Sequence, residues 1–571
     1  MTTAKSALNP AQRGVAIAAL KGEKFDVLVI GGGVTGSGIA LDAASRGLRV
    51  ALVESGDLAS GTSSRSSKLI HGGLRYLEQY DFKLVREALQ ERELMVTTQA
   101  PHLVKPVAFL YPLQEKVKER TYVGAGLALY DALRGFQRAL PNHRHMSQKG
   151  IHEVAPALRL DIVTGGIQYF DAQVDDARHT MMIARTAAEY GATILTQARV
   201  ESLLRLGKRV IGAKVLDRTT GETIDVSAAV TIMAGGVWSD LLHEKFGITP
   251  GYQVRMSKGT HIVVPKSAIQ SKSGIILKTS VSVLFIIPWG DKWIVGTTDT
   301  EFTGDRNQPL ATREDVDYIL AQANKVLTPM LKPSDVLGVY AGLRPLVSKN
   351  TISSTTKLSR EHIVDHPVQG FVSIAGGKYT TYRVMAEDAV DHAAPDLRRI
   401  VPDSVTKELP ILGATGYQTL VNRAELIAEE MKLTKAQVIH LLDRYGSEIS
   451  ELESLMVADP SLREPLDKNL PYLRAEIHFA ASHEGALSVA DVIARRTRIS
   501  FETADHGLSV ATEVAKIIGP LLGWSAAAKK KSIAEYQEQV AIEKAAVLRL
   551  TSTVSESDSK MNSASGSAMS K

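Results

Sequence analysis

Three glycines and one carboxylate near the start of the chain form a pattern that could hold a nucleotide. Gly31, Gly33 and Gly36 fit the spacing G-x-G-x-x-G. In such a motif the first glycine permits a tight turn, the second lets the backbone approach a pyrophosphate, and the third lets a helix pack closely on a strand. Glu54 follows at the distance where a carboxylate accepts hydrogen bonds from a ribose diol, which disfavours NADP. The pattern predicts a bound dinucleotide but leaves NAD and FAD open, and a purely structural glycine turn is the alternative.

The sequence on either side of the glycines predicts the elements that must hold them in place. Residues 25–30 form a continuous run rich in β-branched residues, which is typical of a strand buried on both faces. A helix is predicted over residues 37–46 with a stop at Gly47, and a second strand over residues 49–53 leads to Glu54. These elements make one β-α-β unit, and the helix start offers free N–H groups and a partial positive charge to an anion.

Two further regions follow this unit. Three β-branched runs separated by Pro and Gly predict an antiparallel sheet in a second, substrate-covering domain. They span residues 262–264, 282–287 and 292–297. From about residue 405 the pattern becomes helical: residues 434–437 form a capping box, apolar residues follow at helical spacing, and Gly446 is a stop. This pattern predicts a separate helical C-terminal domain.

The composition excludes several classes of protein and site. Of 571 residues, 44% are hydrophobic and 23% are charged, which indicates an ordinary globular protein. The absence of cysteine excludes disulfides, iron–sulfur clusters, thiolate zinc sites and a cysteinyl flavin link, and a reducing compartment is the simplest home. A net charge of +5 is too small to imply a nucleic-acid partner, and no apolar run is long enough to span a bilayer. Since neither H-E-x-x-H nor an EF-hand loop occurs, we predict no metal.

A polar, glycine-rich stretch over residues 60–76 follows the second strand, and five more blocks occur farther along the chain. They span residues 171–178, 257–261, 295–300, 342–346 and 376–383. Together the blocks closely resemble the FAD-dependent glycerol-3-phosphate dehydrogenases, of the bacterial form. This family is a branch of the flavin amine and alcohol oxidases, and the resemblance covers roughly residues 20–540. It implies FAD as cofactor, oxidation of sn-glycerol 3-phosphate to dihydroxyacetone phosphate, and electron transfer to a membrane quinone.

The resemblance implies that Arg75, Arg344 and Lys378 bind the substrate, with Tyr76 as a neighbouring donor. A phosphate with nearly two negative charges calls for guanidinium and ammonium donors, and all three cations lie in glycine-rich, loop-like contexts. Each has another interpretation: Arg75 could pair with Glu78, Arg344 could belong to a surface turn, and Lys378 could cap a helix.

Oxidation of a secondary alcohol moves the C2 hydride to flavin N5 and the hydroxyl proton to a base. His261 is the candidate for that base because imidazole titrates near neutrality. His71 is the alternative, or it only hydrogen-bonds the cofactor. We therefore predict His261, Arg344 and Lys378 as the catalytic residues.

The expected contacts of FAD come from four parts of the chain. A glycine turn over residues 376–381 enters a helical run and suits the charge that reduced flavin gains, while residues 232–238 resemble the second flavin motif of the group. The predicted cofactor-binding residues are Gly31, Gly33, Gly36, Glu54, Ser63, Ser64, Ser67, Lys68, His71, Gly235, Gly377, Thr380 and Thr381.

The predicted fold class is α/β: an FAD-binding Rossmann-like domain, an inserted antiparallel-sheet substrate domain and an all-α C-terminal domain. The predicted division is a leading helix at 1–24, FAD-binding segments at 25–100, 165–245 and 339–398, substrate segments at 101–164 and 246–338, a helical domain at 399–545 and a disordered tail at 546–571.

Quinone reduction implies a cytoplasmic protein, peripheral on the inner face of the cytoplasmic membrane. Basic clusters at Arg495, Arg496, Arg498 and 529–531 could contact anionic lipid or form solvated faces, and a homodimer is left open. Two rival functions use the same flavin motifs. One is a glycerol-3-phosphate oxidase that passes electrons to O₂, and the other is a non-catalytic FAD-binding regulator.

Overall fold

The computed structural model describes residues 5–135, 139–279, 283–348 and 361–548. Its strands are β1 (Lys24–Ile30), β2 (Val50–Val53), β3 (Leu69–Ile70), β4 (Lys105–Leu113), β5 (Arg144–Ser147), β6 (Gly165–Gln173), β7 (Thr193–Leu195), β8 (Ala198–Leu206), β9 (Arg209–Asp217), β10 (Thr223–Met233), β11 (Gln253–Pro265), β12 (Gly274–Lys278), β13 (Val283–Trp289), β14 (Lys292–Gly296), β15 (Thr300–Glu301), β16 (Gly338–Ser348), β17 (His362–Val368) and β18 (Phe371–Gly376).

Helices connect and cover these strands. They are α1 (Pro10–Gly22), α2 (Val34–Ser45), α3 (Phe82–Leu94), α4 (Lys118–Leu133), α5 (Gln148–Val154), α6 (Asp176–Glu189), α7 (Ser239–Phe246), α8 (Arg313–Ala323), α9 (Tyr382–Ala393), α10 (Tyr417–Asn422), α11 (Ala424–Met431), α12 (Lys435–Tyr445), α13 (Ile449–Ala458), α14 (Arg474–Ser482), α15 (Val489–Asp491), α16 (Ile499–Glu502), α17 (Ala511–Leu521) and α18 (Ala526–Leu548).

The first sheet carries the glycine motif. Its strand order is β17-β18-β10-β1-β2-β7, with parallel pairing from β18 to β7, and β8 and β9 extend β10 as an antiparallel meander. Strand β1 is buried on both faces, as predicted. Val27 and Val29 pack in the cluster that includes α2, α6 and α9, whereas Leu28 and Ile30 pack in the cluster of the meander and α1. The predicted β-α-β unit is confirmed, although α2 begins at Val34 rather than at residue 37.

The second sheet is the predicted antiparallel one. Its order is β15-β11-β14-β13-β12-β4-β6-β3, with β16 on β11 and β5 on β6, and only the pair β12–β4 within it is parallel among the described strands. The runs at 262–264, 282–287 and 292–297 correspond to parts of β11, β13 and β14, except that residue 282 is outside the described residues and β14 ends one residue before 297.

Three strands of the second sheet come from segments that the predicted division gives to the FAD-binding domain. Strand β6 pairs with β4, and β16 pairs with β11, and both partners belong to the predicted substrate domain. Strand β3 joins the same sheet by pairing with β6. The second sheet therefore contains strands from both predicted domains. Strand periodicity shows that a strand is buried but does not show which sheet it joins. The bounds of the domains stay a prediction.

Residues after about 405 are helical, as predicted. Helix α12 starts after Thr434, whose side chain and that of Gln437 form the capping box, and it ends at Gly446 with φ +56°. Helix α18 extends to Leu548, and most of the predicted tail, residues 549–571, lies outside the described residues. Two sheets and this helical region confirm the predicted α/β class. None of the helices in the described ranges is both long and apolar enough to cross a bilayer.

Candidate active site

A cavity of about 1160 Å³ receives residues from both sheets. Most of the predicted site residues line it: Gly31, Gly33, Glu54, Ser63, Ser67, His71, Tyr76, Gly235, His261, Arg344, Gly377, Lys378 and Thr380. Its volume exceeds the roughly 300–1,000 Å³ of an ordinary small-ligand pocket. Space of this size suits a dinucleotide together with a small substrate.

The glycine turn at one end of the cavity requires glycine. Gly31 has φ +113°, and a Cβ there would lie 2.5 Å from the carbonyl oxygen of Ala234 in the segment after β10. A Cβ on Gly36 would lie 1.8 Å from the carbonyl oxygen of Gly31, so α2 can approach the turn only without a side chain. Gly36 does not itself line the cavity, and its predicted role is therefore to position the turn. Gly33 is the N-cap of α2 and lines the cavity.

Glu54 is fixed at the carboxyl end of β2. Its Oε2 accepts a hydrogen bond from the Gly32 N–H at 2.6 Å, and its Oε1 accepts one from the Gly56 N–H at 2.7 Å. Burial raises the pKa of this carboxyl group, although the two backbone donors favour its charged form. Oε1 also accepts a hydrogen bond from the Ser55 hydroxyl at 3.3 Å, so Oε2 is the oxygen that keeps a lone pair for a ribose hydroxyl.

The serine segment after β2 meets the start of α2. The Ser63 hydroxyl accepts a hydrogen bond from the Val34 N–H at 2.9 Å, at the helix terminus where an anion would bind. His71 and Thr380 are joined across the cavity wall, because the His71 N–H donates to Thr380 Oγ1 at 3.2 Å. The predicted cofactor contacts Ser63, His71 and Thr380 thus line the same cavity although Thr380 is far from the other two in sequence.

Three predicted cofactor contacts lie behind the cavity wall. Lys68 is fully buried, and its ammonium donates to Asp176 Oδ1 at 3.0 Å and to the Ser64 carbonyl at 3.2 Å. Burial and the neighbouring Arg498 lower the pKa of Lys68 to about 8. Ser64 and Thr381 are also buried and do not line the cavity. The structure therefore brings none of these three side chains to the cavity surface.

Lys378 lies beside the turn that contains the predicted residues 75 and 76. Its Nζ is 3.7 Å from the centre of the Tyr76 ring and donates to the Gly72 carbonyl at 3.4 Å. Gly73 has φ +82°, and a Cβ there would lie 2.4 Å from two carbon atoms of the Tyr76 ring, so the turn requires glycine at this position. Arg75 lies in the 3-10 turn Leu74–Tyr76, but its side chain is outside the described part of the structure.

Arg344 lies within strand β16, not in a loop or a surface turn. Its Nη1 donates to Asp299 Oδ1 at 3.3 Å, and its Nη2 donates to Thr297 Oγ1 at 2.9 Å. β16 pairs with β11 along its full length, and residues so far apart in sequence cannot be paired from periodicity.

Lys378 precedes the 3-10 turn Tyr379–Thr381, which leads directly into α9. This agrees with the predicted glycine turn that enters a helical run.

His261 lines the cavity from β11 and is 1% exposed. Its Nε2 lies 2.9 Å from Ser67 Oγ, and its ring stacks on Tyr340 at 4.9 Å with an interplanar angle of 12°. Burial, with the positive charges of Arg344 and Lys68, lowers the pKa of this imidazole well below 6.5. These surroundings therefore favour the uncharged form of the imidazole.

Sequence reasoning missed the residues that orient the predicted ones. Thr297 and Asp299 hold Arg344, Tyr340 supports His261, and Asp299 also accepts a hydrogen bond from Ser257. Residues 297 and 299 belong to the block 295–300, so the sequence indicates that this segment matters for function. Nothing in the sequence pairs these residues with residue 344.

The arginine cluster within the helical region contradicts both sequence interpretations. Arg495 and Arg496 donate to Asp57, and Arg498 donates to Asp176, with all three arginines largely buried. They are neither a solvated face nor a lipid contact, because their carboxylate partners lie in other parts of the chain. Residues 529–531 are at the surface in the first turns of α18.

Two family models match the chain. Residues 26–383 match the FAD dependent oxidoreductase family, and residues 404–529 match the C-terminal domain of alpha-glycerophosphate oxidase. The first match covers more than half of the chain, and the second covers most of the helical region.

Individual proteins are also similar to this chain over most of its length. "Glycerol-3-phosphate dehydrogenase 2" of Mycobacterium bovis is 52% identical over 538 residues, which are 94% of this chain and 92% of the relative. "Glycerol-3-phosphate dehydrogenase" of Synechocystis is 35% identical and covers 90% of this chain and 96% of its own length. The crystal structure of the Bacillus halodurans glycerol-3-phosphate dehydrogenase with FAD has a TM-score of 0.77 at 28% identity, covering 95% of this chain and 100% of that one.

The glycine turn, the fixed carboxylate and the large cavity fit a flavin dinucleotide, and the family match and the FAD-bound neighbour identify FAD as the cofactor. The chain therefore belongs to the family of FAD-dependent glycerol-3-phosphate dehydrogenases.

Proposed function

We propose that this protein oxidises sn-glycerol 3-phosphate to dihydroxyacetone phosphate by hydride transfer from C2 to flavin N5, and passes the electrons to a membrane quinone. The observation that carries the proposal is the meeting of Arg344, Lys378 and neutral His261 in the cavity that also contains the glycine turn. The relatives named above carry the same substrate in their names.

Two cations on the cavity wall supply the charge that a phosphate ester needs. Arg344 presents a planar guanidinium whose direction is set by Asp299 and Thr297. Lys378 contributes an ammonium group beside Tyr76. Charge-assisted hydrogen bonds of this kind are worth about 1.5–3 kcal/mol each. Arg75 is proposed as a third cation, on the turn next to Lys378.

The proton of the C2 hydroxyl needs an acceptor that is neutral before the reaction. His261 meets that condition because burial favours its uncharged form. Ser67 lines the cavity, and its hydroxyl is 2.9 Å from His261 Nε2. The proton can therefore leave the substrate for Ser67 Oγ while the serine proton moves to Nε2. FAD supplies the two-electron acceptor at N5.

Exposed apolar side chains at the cavity mouth support a quinone as the next acceptor. Tyr80, Phe82, Tyr122 and Leu129 line the cavity and are exposed to solvent. An apolar acceptor can approach along these side chains, whereas O₂ would not need them. We place the protein accordingly at the inner face of the cytoplasmic membrane, as a peripheral protein.

The test is a visible spectrum recorded without oxygen. Glycerol 3-phosphate should bleach the flavin band, and glycerol should not, because it lacks the phosphate. A quinone analogue should then restore the yellow colour faster than air, with little peroxide. Stoichiometric peroxide in air and no reaction with the quinone would favour the oxidase, and a flavin that ignores glycerol 3-phosphate would favour the regulator.

A further inference from the structure

We propose that a buried charge cluster formed by Lys68, Asp176 and Arg498 positions the Ser67–His261 pair for proton transfer. Arg498 comes from the helical C-terminal region, so this region helps to build the active site without lining it. The kinetic consequence of the proposal rests on the proposed function, whereas its structural consequence does not.

Asp176, the first residue of α6, is the centre of the cluster. Its Oδ2 accepts hydrogen bonds from the Ser66 N–H at 2.9 Å and from the Ser66 hydroxyl at 2.7 Å. Its Oδ1 accepts from Lys68 Nζ at 3.0 Å and from Arg498 Nη2. Side chains of Lys68, Asp176 and Arg498 are at most 1% exposed. One carboxylate therefore ties three parts of the chain together away from water.

Ser67 stands between the two residues that Asp176 holds. The residue before it is bound through both its N–H and its hydroxyl, and the residue after it through its ammonium group. Lys68 also has φ +57°, which is costly for a residue with a side chain and persists only where surrounding contacts impose it. With both neighbours fixed, the Ser67 hydroxyl has little freedom to leave His261 Nε2.

A second set of contacts fixes the other face of the imidazole. His261 stacks on Tyr340, whose hydroxyl donates to the Ser66 carbonyl at 3.1 Å. On its far side Tyr340 meets Phe501 of α16 at 5.2 Å, and Lys68 Nζ lies 4.9 Å from the Tyr340 ring. The ring that supports the histidine is thus held by the same segment and by the C-terminal region.

Stability alone does not account for such a cluster. Buried ion pairs pay a large desolvation cost, and packed apolar residues in their place are often as stable or more stable. In this cluster the charged groups fix the direction of the Ser66–Lys68 backbone. Because Ser67 lies in the middle of that segment, the cluster positions Ser67.

The charges near His261 give the cluster a second measurable effect. Arg344 on β16 and Lys68 face the imidazole as cations, and Tyr340 covers one ring face. Asp175, Asp176 and Arg498 lie behind Lys68, and Arg498 Nε is 2.9 Å from Asp175 Oδ1. Removing the charge of Lys68 makes protonation of His261 easier, so the acid limb of the kcat profile should move to higher pH. If Lys68 only stabilised the fold, its removal would not move the acid limb of the kcat profile to higher pH.

The kinetic test compares two buried arginines in the full-length holoenzyme. Arg498→Met should lower kcat roughly 10- to 100-fold because the proton path is misplaced, with KM nearly unchanged and flavin retained. Arg185→Met is the control, since Arg185 is equally buried and pairs with Glu448 of the same region, at 2.6 Å, but does not contact Ser64, Ser66 or Lys68. Arg498→Lys should recover part of kcat. Equal kcat values for Arg498→Met and Arg185→Met would overturn the proposal.

A spectroscopic test needs no turnover. Carbon-13 labelled histidine, with the His261 signal assigned through His261→Asn, reports the ring directly. Lys68→Met should shift the midpoint of that titration upward and leave the other histidine signals in place. An unchanged His261 signal would overturn the proposal even if Arg498→Met does not fold. If wild-type flavin is not reduced by glycerol 3-phosphate, the proposed function fails, and this measurement still tests whether the buried charge of Lys68 acts on His261.

Discussion

At the scale of single residues, the proposed reaction depends on side chains that are oriented before the substrate arrives. Arg344 is held by Asp299 and Thr297, and His261 is held by Ser67 and Tyr340. Such preorganisation matters because a displacement of about 1 Å at a reacting group can cost roughly 100-fold in rate. Two substitutions test it.

The first is His261→Ala. Loss of the proton acceptor should lower turnover roughly 10²- to 10⁴-fold while the protein stays yellow, as shown by steady-state kinetics and the visible spectrum. His243→Ala is the matched control, because His243 is also 1% exposed and also lies near a serine hydroxyl, with its Nε2 3.1 Å from Ser373 Oγ, but it does not line the cavity. Unchanged turnover in His261→Ala would remove this histidine from the mechanism.

The second is Arg344→Lys. A lysine keeps the charge but loses the planar fork, so the affinity for glycerol 3-phosphate should fall roughly 10- to 100-fold, corresponding to about 1.5–3 kcal/mol. Perturbation of the flavin spectrum during titration measures this affinity. Arg209→Lys is the control: Arg209 and Arg344 side chains are both 23% exposed, and each pairs with an aspartate that is 5% exposed. Equal affinities in both variants would contradict a phosphate contact by Arg344.

At the scale of elements, the β1–α2 turn is the part that sequence and structure describe alike. The carbonyl of Gly31 leaves no room for a side chain at residue 36, and the meander strand β10 ends against the same turn through Ala234. Cofactor binding therefore depends on helix α2 lying close to β1. Glycine is needed here for close packing rather than for flexibility.

Gly36→Ala tests this element. A methyl group 1.8 Å from the Gly31 carbonyl must push α2 away from the turn, so the purified protein should contain little flavin and melt at a lower temperature. Gly14→Ala in α1 is the control, since nothing lies within 4 Å of its added Cβ and alanine is favoured in a helix by about 0.5–1 kcal/mol. The flavin-to-protein absorbance ratio and thermal melts report both effects. A Gly36→Ala protein with the flavin content and melting temperature of wild type would contradict the explanation that close packing at residue 36 is needed.

Elements formed by contiguous residues can be predicted from the sequence, whereas pairings between distant residues cannot. The turn between β1 and α2 was predictable because its glycines, strand and helix are contiguous. The sequence predicts a loop around Arg344, because the pairing of its strand with β11 joins residues that are far apart. It predicts that Lys68 contacts the cofactor, whereas Asp176, 108 residues away, holds Lys68 behind the cavity wall. Pairing between residues far apart in sequence, and the burial of a single charged side chain by such a partner, leave no local mark in a sequence.

At the scale of the whole molecule, buried ion pairs join the helical C-terminal region to the FAD-binding part. Asp57, in the loop after β2 that also carries Glu54, accepts hydrogen bonds from Arg495 at 2.5 Å and from Arg496 at 2.6 and 2.7 Å. Burial alone would raise the pKa of Asp57, but the two guanidinium groups outweigh it and hold this pKa below 3.8. Cofactor loop and helical region are therefore expected to unfold together.

Asp57→Asn tests this coupling. Because the pKa of Asp57 is depressed in the folded protein, its stabilisation is present above pH 4 and is lost as the pH falls through the folded value. At pH 7 the substitution should cost about 3–5 kcal/mol, as expected for a buried pair that loses one partner, and the difference from wild type should shrink in acid. Thermal melts across pH measure it. Asp161→Asn, in a surface pair with Arg159, should melt like wild type at every pH. A loss that persists unchanged in acid would contradict the ion-pair explanation.

We propose that the cavity holds glycerol 3-phosphate by its phosphate and delivers the C2 hydrogen to the flavin. Anaerobic stopped-flow spectroscopy tests this by following the bleaching of the flavin with glycerol 3-phosphate and with the same compound deuterated at C2. We expect bleaching by one equivalent of substrate, a clearly slower reaction with the deuterated form, and none with glycerol. A flavin band that persists with glycerol 3-phosphate, or bleaches equally with glycerol, would contradict the account.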